Sequence, residues 1–242
     1  MNRIGDALVY LNDPFNWSRA GGILDLLAEH LRISVLAVLA AMLVALPAGV
    51  LLGHTGRGGA FTVALSNVSR AVPTLALLTI FAVTPIGFGP TATTIALGVF
   101  AVPPILTNTY VGFRGVDRDV VEAARGMGLS GPQVAMRVEL PLAAPLLMTG
   151  VRTAAVQVVA TATLAALVAG GGLGSIITLG FRQQDYGAVV AGAILVAVLA
   201  VLTELLLVAV SWVLTPGEKR LPFLRARRAT AVPEPTSAGV PL

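Results

Sequence analysis

The feature that most constrains this chain is a set of long stretches without a charged side chain. Ile33 to Gly53 has none, and neither has Ala71 to Phe113. A helix crossing a bilayer needs about 20 mostly apolar residues, so the first stretch fits one crossing. The second is too long for one, and Thr84-Pro85-Ile86-Gly87-Phe88-Gly89-Pro90 divides it with strong turn formers. The reading is therefore two spans there, about 60–84 and 91–111. Pro141 to Ala169 supplies a fourth span and Gly187 to Leu214 a fifth. The competing reading is a large soluble helical core, but no amphipathic period survives in these runs. Composition agrees: 56% of residues are hydrophobic and 12% charged, about half the charged share of a soluble domain. The expected fold is all-α, a polytopic membrane protein of about five transmembrane helices.

The termini and the charges complete the outline. Met1 to Trp17 mixes Asp6, Asp13 and Pro14 with short apolar runs, so it forms no signal-peptide core. Residues 21–32 are amphipathic and are expected to lie on the membrane surface, making 1–32 an N-terminal segment before a membrane-spanning body at 33–214. With loop 112–140 in the cytoplasm, that side holds ten basic residues: Arg57, Arg114, Arg118, Arg125, Arg137, Lys219, Arg220, Arg225, Arg227 and Arg228. The other side holds four, Arg3, Arg19, Arg32 and Arg182. The positive-inside rule then puts the N-terminus outside and the C-terminus in the cytoplasm. The chain's pI near 10.3 thus reports membrane topology, and nucleic acid is not an expected partner. The tail at 215–242 is basic and then rich in Pro, Ala and Thr, which reads as disordered. The chain has no cysteine, and its two histidines, His30 and His54, are far apart. No thiol chemistry and no metal site are expected.

Loop 112–140 is the segment with the most local instruction. Asp117 is a good N-cap for a short helix over Arg118 to Met127. Gly128 suits the left-handed position that ends it. Ser130 can cap a second short helix with Pro132 near its first turn, and Pro141 is expected to begin the next span. The first helix would expose Asp119, Glu122 and Arg125 beside the small residues Ala123 and Ala124, a surface suited to docking in another protein's groove. Composition alone favours the plainer reading of an ordinary capped loop helix.

The loop resembles the EAA motif of bacterial ABC-importer permeases: Glu-Ala-Ala, three residues, Gly, nine residues, then Ile-x-Leu-Pro. Here Glu122-Ala123-Ala124, Gly128 and Val138-Glu139-Leu140-Pro141 keep that spacing, with Val138 in place of Ile. The resemblance covers about residues 30–215. It is closest to the glycine betaine/carnitine/choline (osmoprotectant) branch, through Pro73 to Leu78, Asn108 to Asp117, Gly150 to Ala155 and above all Ala162 to Gly174. One departure is Arg70-Ala71-Val72-Pro73-Thr74, where that branch usually reads close to Gln-Thr-Ile-Pro-Ser. The resemblance implies a type I importer-like core with no chemistry of its own. It implies as partners an ATP-binding subunit, a second permease subunit (the same or a paralogue) and an extracytoplasmic substrate-binding protein, all at a bacterial cytoplasmic membrane and its lipid. ATP and Mg would sit on the partner ATPase, and no cofactor on this subunit. Asp119, Glu122, Ala123, Ala124, Arg125, Gly128 and Pro141 would serve coupling.

Candidates for the translocation path come from irregularities inside the spans. Broken backbone in a membrane is tolerated where protein or a cavity covers it, and transporters use such breaks. Pro73 with Thr74, and Pro103-Pro104 with Asn108, are such places, though packing kinks are the plainer reading of them. Arg70 and Arg152 are costly at mid-span and join the candidates; Glu204 reads equally as a partner for Arg152 or as a residue close to the cytoplasmic boundary. Gly170-Gly171-Gly172-Leu173-Gly174 lacks a following Gly-Lys-Ser/Thr, and reads as a flexible outer gate or a dock for the binding protein. Gln183, Gln184 and Asp185 share that side. The alternatives are a permease for another small solute such as methionine, and a secondary transporter. The latter would want buried carboxylates in its spans, where only Glu204 stands.

Overall fold

The computed structural model describes residues 3–214; the expected cytoplasmic tail lies outside the described residues, as does the side chain of Arg70. Among the described residues every regular element is helical. Two short helices, α1 (Arg3–Asn12) and α2 (Pro14–Ser18), precede a 33-residue helix α3 (Ile23–Thr55). At 1.5 Å per residue α3 is about 50 Å long, well beyond the roughly 30 Å of hydrocarbon it has to cross. The surface helix expected at 21–32 is therefore not a separate element: residues 23–32 are the first turns of the same rod. Asp25, Glu29 and Arg32 mark a change of polarity there. No glycine or proline interrupts the backbone between Ile23 and Pro47, so nothing stops the helix.

The second expected span is broken. Helix α4 (Gly59–Ala71) and helix α5 (Thr74–Ala82) meet at Val72-Pro73 with a bend of 87°. Proline disfavours helical backbone in the residue before it, and Val72 is extended at φ −79°, ψ 120°. Helix α6 (Pro90–Arg114) forms one crossing and tolerates Pro103 and Pro104 in its interior. Helix α7 (Arg118–Gly126) and helix α8 (Gly131–Val134) form the loop. A π-helical turn (Ala135–Glu139) joins α8 to α9 (Leu140–Thr161), and a 3₁₀ segment (Ala162–Val168) continues it. Pro141 therefore does not start the fourth crossing. The helical path is continuous over Gly131–Val168. Within the π turn the Leu140 N–H reaches the Ala135 carbonyl, an i→i−5 bond of the kind found at single wide turns. It comes one residue before Pro141, which has no N–H to give. Helices α10 (Gly174–Gln183) and α11 (Tyr186–Leu214) close the chain.

Helices α3, α6 and α9 make the core. Ala37, Ala41, Ala45, Ala96, Ala101, Ala154 and Val158 are buried between them, with Leu97 and Ile105. Lipid tails are as apolar as leucine, so helices associate in a membrane through close packing of small residues; this core is alanine-rich for that reason. By length and composition the described residues hold four crossing helices, five if the bent pair counts as one. Helix α11 packs Ala188 and Val196 on α1 and α10, and its most apolar window, of mean hydropathy 2.8, holds no buried residue.

Candidate functional site: two tied ends of one bundle

The ends of α3 and α6 and the start of α9 meet at one end of the bundle, where the loop lies. The Asp117 carboxylate accepts the Asp119 N–H at 2.9 Å and starts α7. Ser130 and Gln133 form a reciprocal capping box on α8, with the Ser130 N–H to Gln133 Oε1 at 2.8 Å. Gly128 holds φ +87° between the two helices. A Cβ there would meet nothing within 4 Å, so conformation and not space calls for glycine.

The two faces of α7 divide cleanly. Val121 and Ala124 are buried with Phe113, Val116, Val134, Ala135 and Ala143, and Leu46 and Val50 of α3 pack on that cluster. Asp119, Glu122, Ala123 and Arg125 are exposed. Ala124 is thus turned away from the open face that was expected to present it. It brings α7 close to its own platform, and Ala123 is the small residue left on the outer side. Sequence reasoning missed the most unusual side chain at this end. Glu139 is 2% exposed, and its Oε2 lies 2.5 Å from Nδ1 of His54, in the last turn of α3. A carboxylate at i+17 from Glu122 has no periodic signal of burial, because the π turn resets the helix phase.

The opposite end is tied by backbone. The glycine-rich run follows the 3₁₀ segment, with Ala169 left-handed at φ 54° and Gly171 and Gly172 at φ 79° and 76°. These left-handed residues aim the Gly172 and Leu173 N–H groups at α3. Glu29 Oε2 of α3 accepts the Gly172 N–H at 2.9 Å. Next to it, His30 Nδ1 accepts the Leu173 N–H at 3.3 Å and Nε2 lies 2.9 Å from the Val159 carbonyl. The ring is therefore neutral, with its proton on Nε2. The run expected to be a flexible outer gate or a dock for the binding protein is thus hydrogen-bonded to α3 at Gly172 and Leu173. Gln183 and Asp185 line an open cleft of about 370 Å³ with Asn16 and Arg19, and Asp185 Oδ1 accepts the Ala188 N–H at 3.0 Å at the start of α11.

The expected path residues separate into two kinds. Asn108 Nδ2 donates to the Pro104 carbonyl at 2.8 Å. A Cβ on Gly150 of α9 would lie 2.7 Å from Asn108 Cβ and 3.0 Å from that carbonyl. Pro104 and Asn108 therefore sit at the crossing of α6 and α9, and Pro103 is buried. Pro73 is exposed and Thr74 half-buried at the α4–α5 break. Arg152 Nε is 3.2 Å from Glu204 Oε1, joining α9 to α11 with side chains 35% and 40% exposed.

An alanine-packed membrane bundle with a capped loop helix riding on one end is the build of a transporter's membrane component. The sequence matches the family described as "binding-protein-dependent transport system inner membrane component" over residues 35–211, and the chain belongs to that family. It is a multi-pass inner-membrane protein and a transport component. It is 36% identical over 208 residues to the choline transport system permease protein OpuBB of Bacillus subtilis, covering 86% of this chain and 95% of that one. The glycine betaine/carnitine/choline transport system permease protein OpuCB of the same organism is 35% identical, with 84% and 93% covered. A carnitine transport permease protein OpuCB of Listeria monocytogenes is 39% identical over 188 residues, with 78% and 86% covered. Among solved structures, an inward-facing form of the MetNI methionine ABC transporter superposes with a TM-score of 0.70 at 23% identity, covering 84% of this chain and 99% of that one. That likeness establishes the type I importer fold.

Proposed function

We propose that this chain is the membrane-spanning subunit of an ABC importer for a compatible solute of the choline, glycine betaine and carnitine class. The single observation that carries the solute class is the similarity, over most of both chains, to permeases named for choline, glycine betaine and carnitine. The chain pairs with a second permease, the same or a paralogue. A binding protein delivers solute on the outer side, and two ATP-binding subunits sit on the cytoplasmic side, carrying ATP and Mg. The loop end of the bundle is cytoplasmic, which puts the N-terminus outside and the C-terminus inside; the ten-to-four distribution of basic residues supports this.

In this reading α7 is the lever. Asp119, Glu122, Ala123 and Arg125 form the face that meets the ATPase. Ala124 and Gly128 hold the lever on its platform, and the unbroken helix over Gly131–Val168 carries the push into the membrane. Aromatic residues make up 5% of the chain, too few for cages of the kind that hold quaternary ammonium groups, so selectivity belongs mainly to the binding protein. The α4–α5 break with Pro73 and Thr74, together with Arg70, is the part of the path assigned to this subunit. The Arg152–Glu204 pair is the second candidate.

The test is purification of the intact membrane complex and measurement of ATP hydrolysis in lipid vesicles with binding protein loaded with choline, glycine betaine or methionine. Stimulation by choline or glycine betaine is expected. Stimulation by methionine alone would remove the solute assignment, and absence of any ATPase from an intact complex would remove the importer reading.

A further inference from the structure

A carboxylate buried as deeply as Glu139 is expensive unless paired, and its partner is 85 residues away in the chain. The pair joins two elements that the backbone does not connect directly: the last turn of α3 and the turn between loop and α9. The His54 ring also lies beside the start of α8, where a Cβ on Gly131 would be 3.7 Å from Nε2. Leu46 and Val50 of α3 pack on the apolar cluster that Val121, Ala124 and Val134 of the loop share with α6 and α9, and apolar contacts are non-directional. Among the described residues, His54–Glu139 is the one side-chain hydrogen bond that ties segment 115–139 to another helix. Stability alone does not account for it, since well-packed apolar residues often replace a buried pair at no loss. What a directional bond adds is fixed position.

The loop is covalently joined to α6 through Gly115 and to α9 through the π turn. Helix α3, the longest, has no covalent link to it. We propose that His54 and Glu139 are positioning residues that supply a non-covalent one, a strut that makes α3 move with the loop. The proposal rests on the reading of α7 as the coupling lever. In it, α7 and the base of α9 carry α3 with them when the ATPase closes. Without the strut, the loop and α9 move while α3 lags, and ATP is consumed without a matching movement of the core.

The experiment uses the complete transporter in vesicles, with phosphate release and labelled choline uptake read on the same sample. Glu139→Gln keeps the volume of the side chain and removes its charge. It is expected to leave the complex assembled and hydrolysing ATP while uptake per ATP falls about tenfold. His54→Gln is expected to do the same, and the double variant to be no worse than either single one. Since this chain has no cysteine, a second form separates the strut from general damage. His54→Cys with Glu139→Cys, in cysteine-free partners, is bridged by a short reducible bis-methanethiosulfonate. Uptake per ATP is expected to rise on bridging and fall again on reduction. Normal uptake per ATP in an assembled Glu139→Gln complex, additive losses, or a bridged pair that stays uncoupled would each overturn the strut. Gly128→Val is the parallel control. If it uncouples and Glu139→Gln does not, the strut fails and the lever stands; if neither uncouples, the lever reading fails first.

Discussion

The two ends of the bundle solve the same mechanical problem with different materials. At the loop end, His54 of α3 meets another side chain, Glu139. At the opposite end, His30 and Glu29 of the same helix meet backbone groups, at Val159, Gly172 and Leu173. A side-chain pair links two elements while leaving each backbone its own helical bonds. A clasp on backbone fixes the shape of the loop itself. The difference teaches that α3 meets its neighbours through a side-chain joint at one end and a backbone socket at the other.

The joint can be broken most sharply at its turn. Gly128 at φ +87° has open space around it, so the cost of substitution is conformational, about 1–2 kcal/mol for a residue that resists left-handed backbone. Gly128→Val is expected to lose most coupled uptake in the assembled complex, while Gly128→Asn, which visits that region readily, keeps a large part of it. Uptake of labelled choline per ATP hydrolysed checks the order; equal loss in both would mean that bulk and not backbone decides.

The core between the two ends is expected to respond next. Gly150→Val places carbon against Asn108 and the Pro104 carbonyl, an overpacking worth about 1–3 kcal/mol. It should lower the midpoint of thermal unfolding of the detergent-solubilised complex by several degrees. An unchanged midpoint would show that α6 and α9 do not cross there.

The socket is expected to fail more gently. Glu29→Ala leaves the Gly172 N–H without its acceptor, a loss of about 1–3 kcal/mol. It should speed hydrogen exchange at Gly172 and Leu173 at the outer end and leave exchange in α7 unchanged. Spread of the effect to α7 would erase the distinction between the two ends. The smallest effect is expected at Arg152 and Glu204, whose side chains are 35% and 40% exposed. Arg152→Gln and Glu204→Gln should each weaken assembly slightly and together no more than either, by a coupling of about 0.5–3 kcal/mol; additive effects would remove the pairing.

Much of this was legible in the chain itself. The crossings followed from runs of apolar residues, and the α7 and α8 caps from Asp117, Gly128 and Ser130, because these rest on local backbone chemistry. The Arg152 and Glu204 contact was legible because charges inside spans must find company. Three things were not. The helix through 21–32 reads as amphipathic, yet polarity does not end a helix that lacks a breaker. Pro141 reads as a start, because a π turn absorbs the missing N–H without leaving any mark in the residue pattern. The Gly170–Gly174 run reads as flexible, because its fastening is supplied by Glu29 and His30, more than a hundred residues earlier. Ala124 and Ala123 are indistinguishable by composition, and only the phase of α7 on its platform separates the inward from the outward one.

The 85-residue separation of His54 and Glu139 also sets a schedule for synthesis. At about 5–20 residues per second, the ribosome needs roughly 4–17 s to make the second residue after the first. During that interval α3 has already left the chain's exit path, and its histidine stands without the carboxylate that will secure it. The first crossing is thus placed before it is fastened. The bond at the base of the subunit can close only after the turn that leads into α9 has been made.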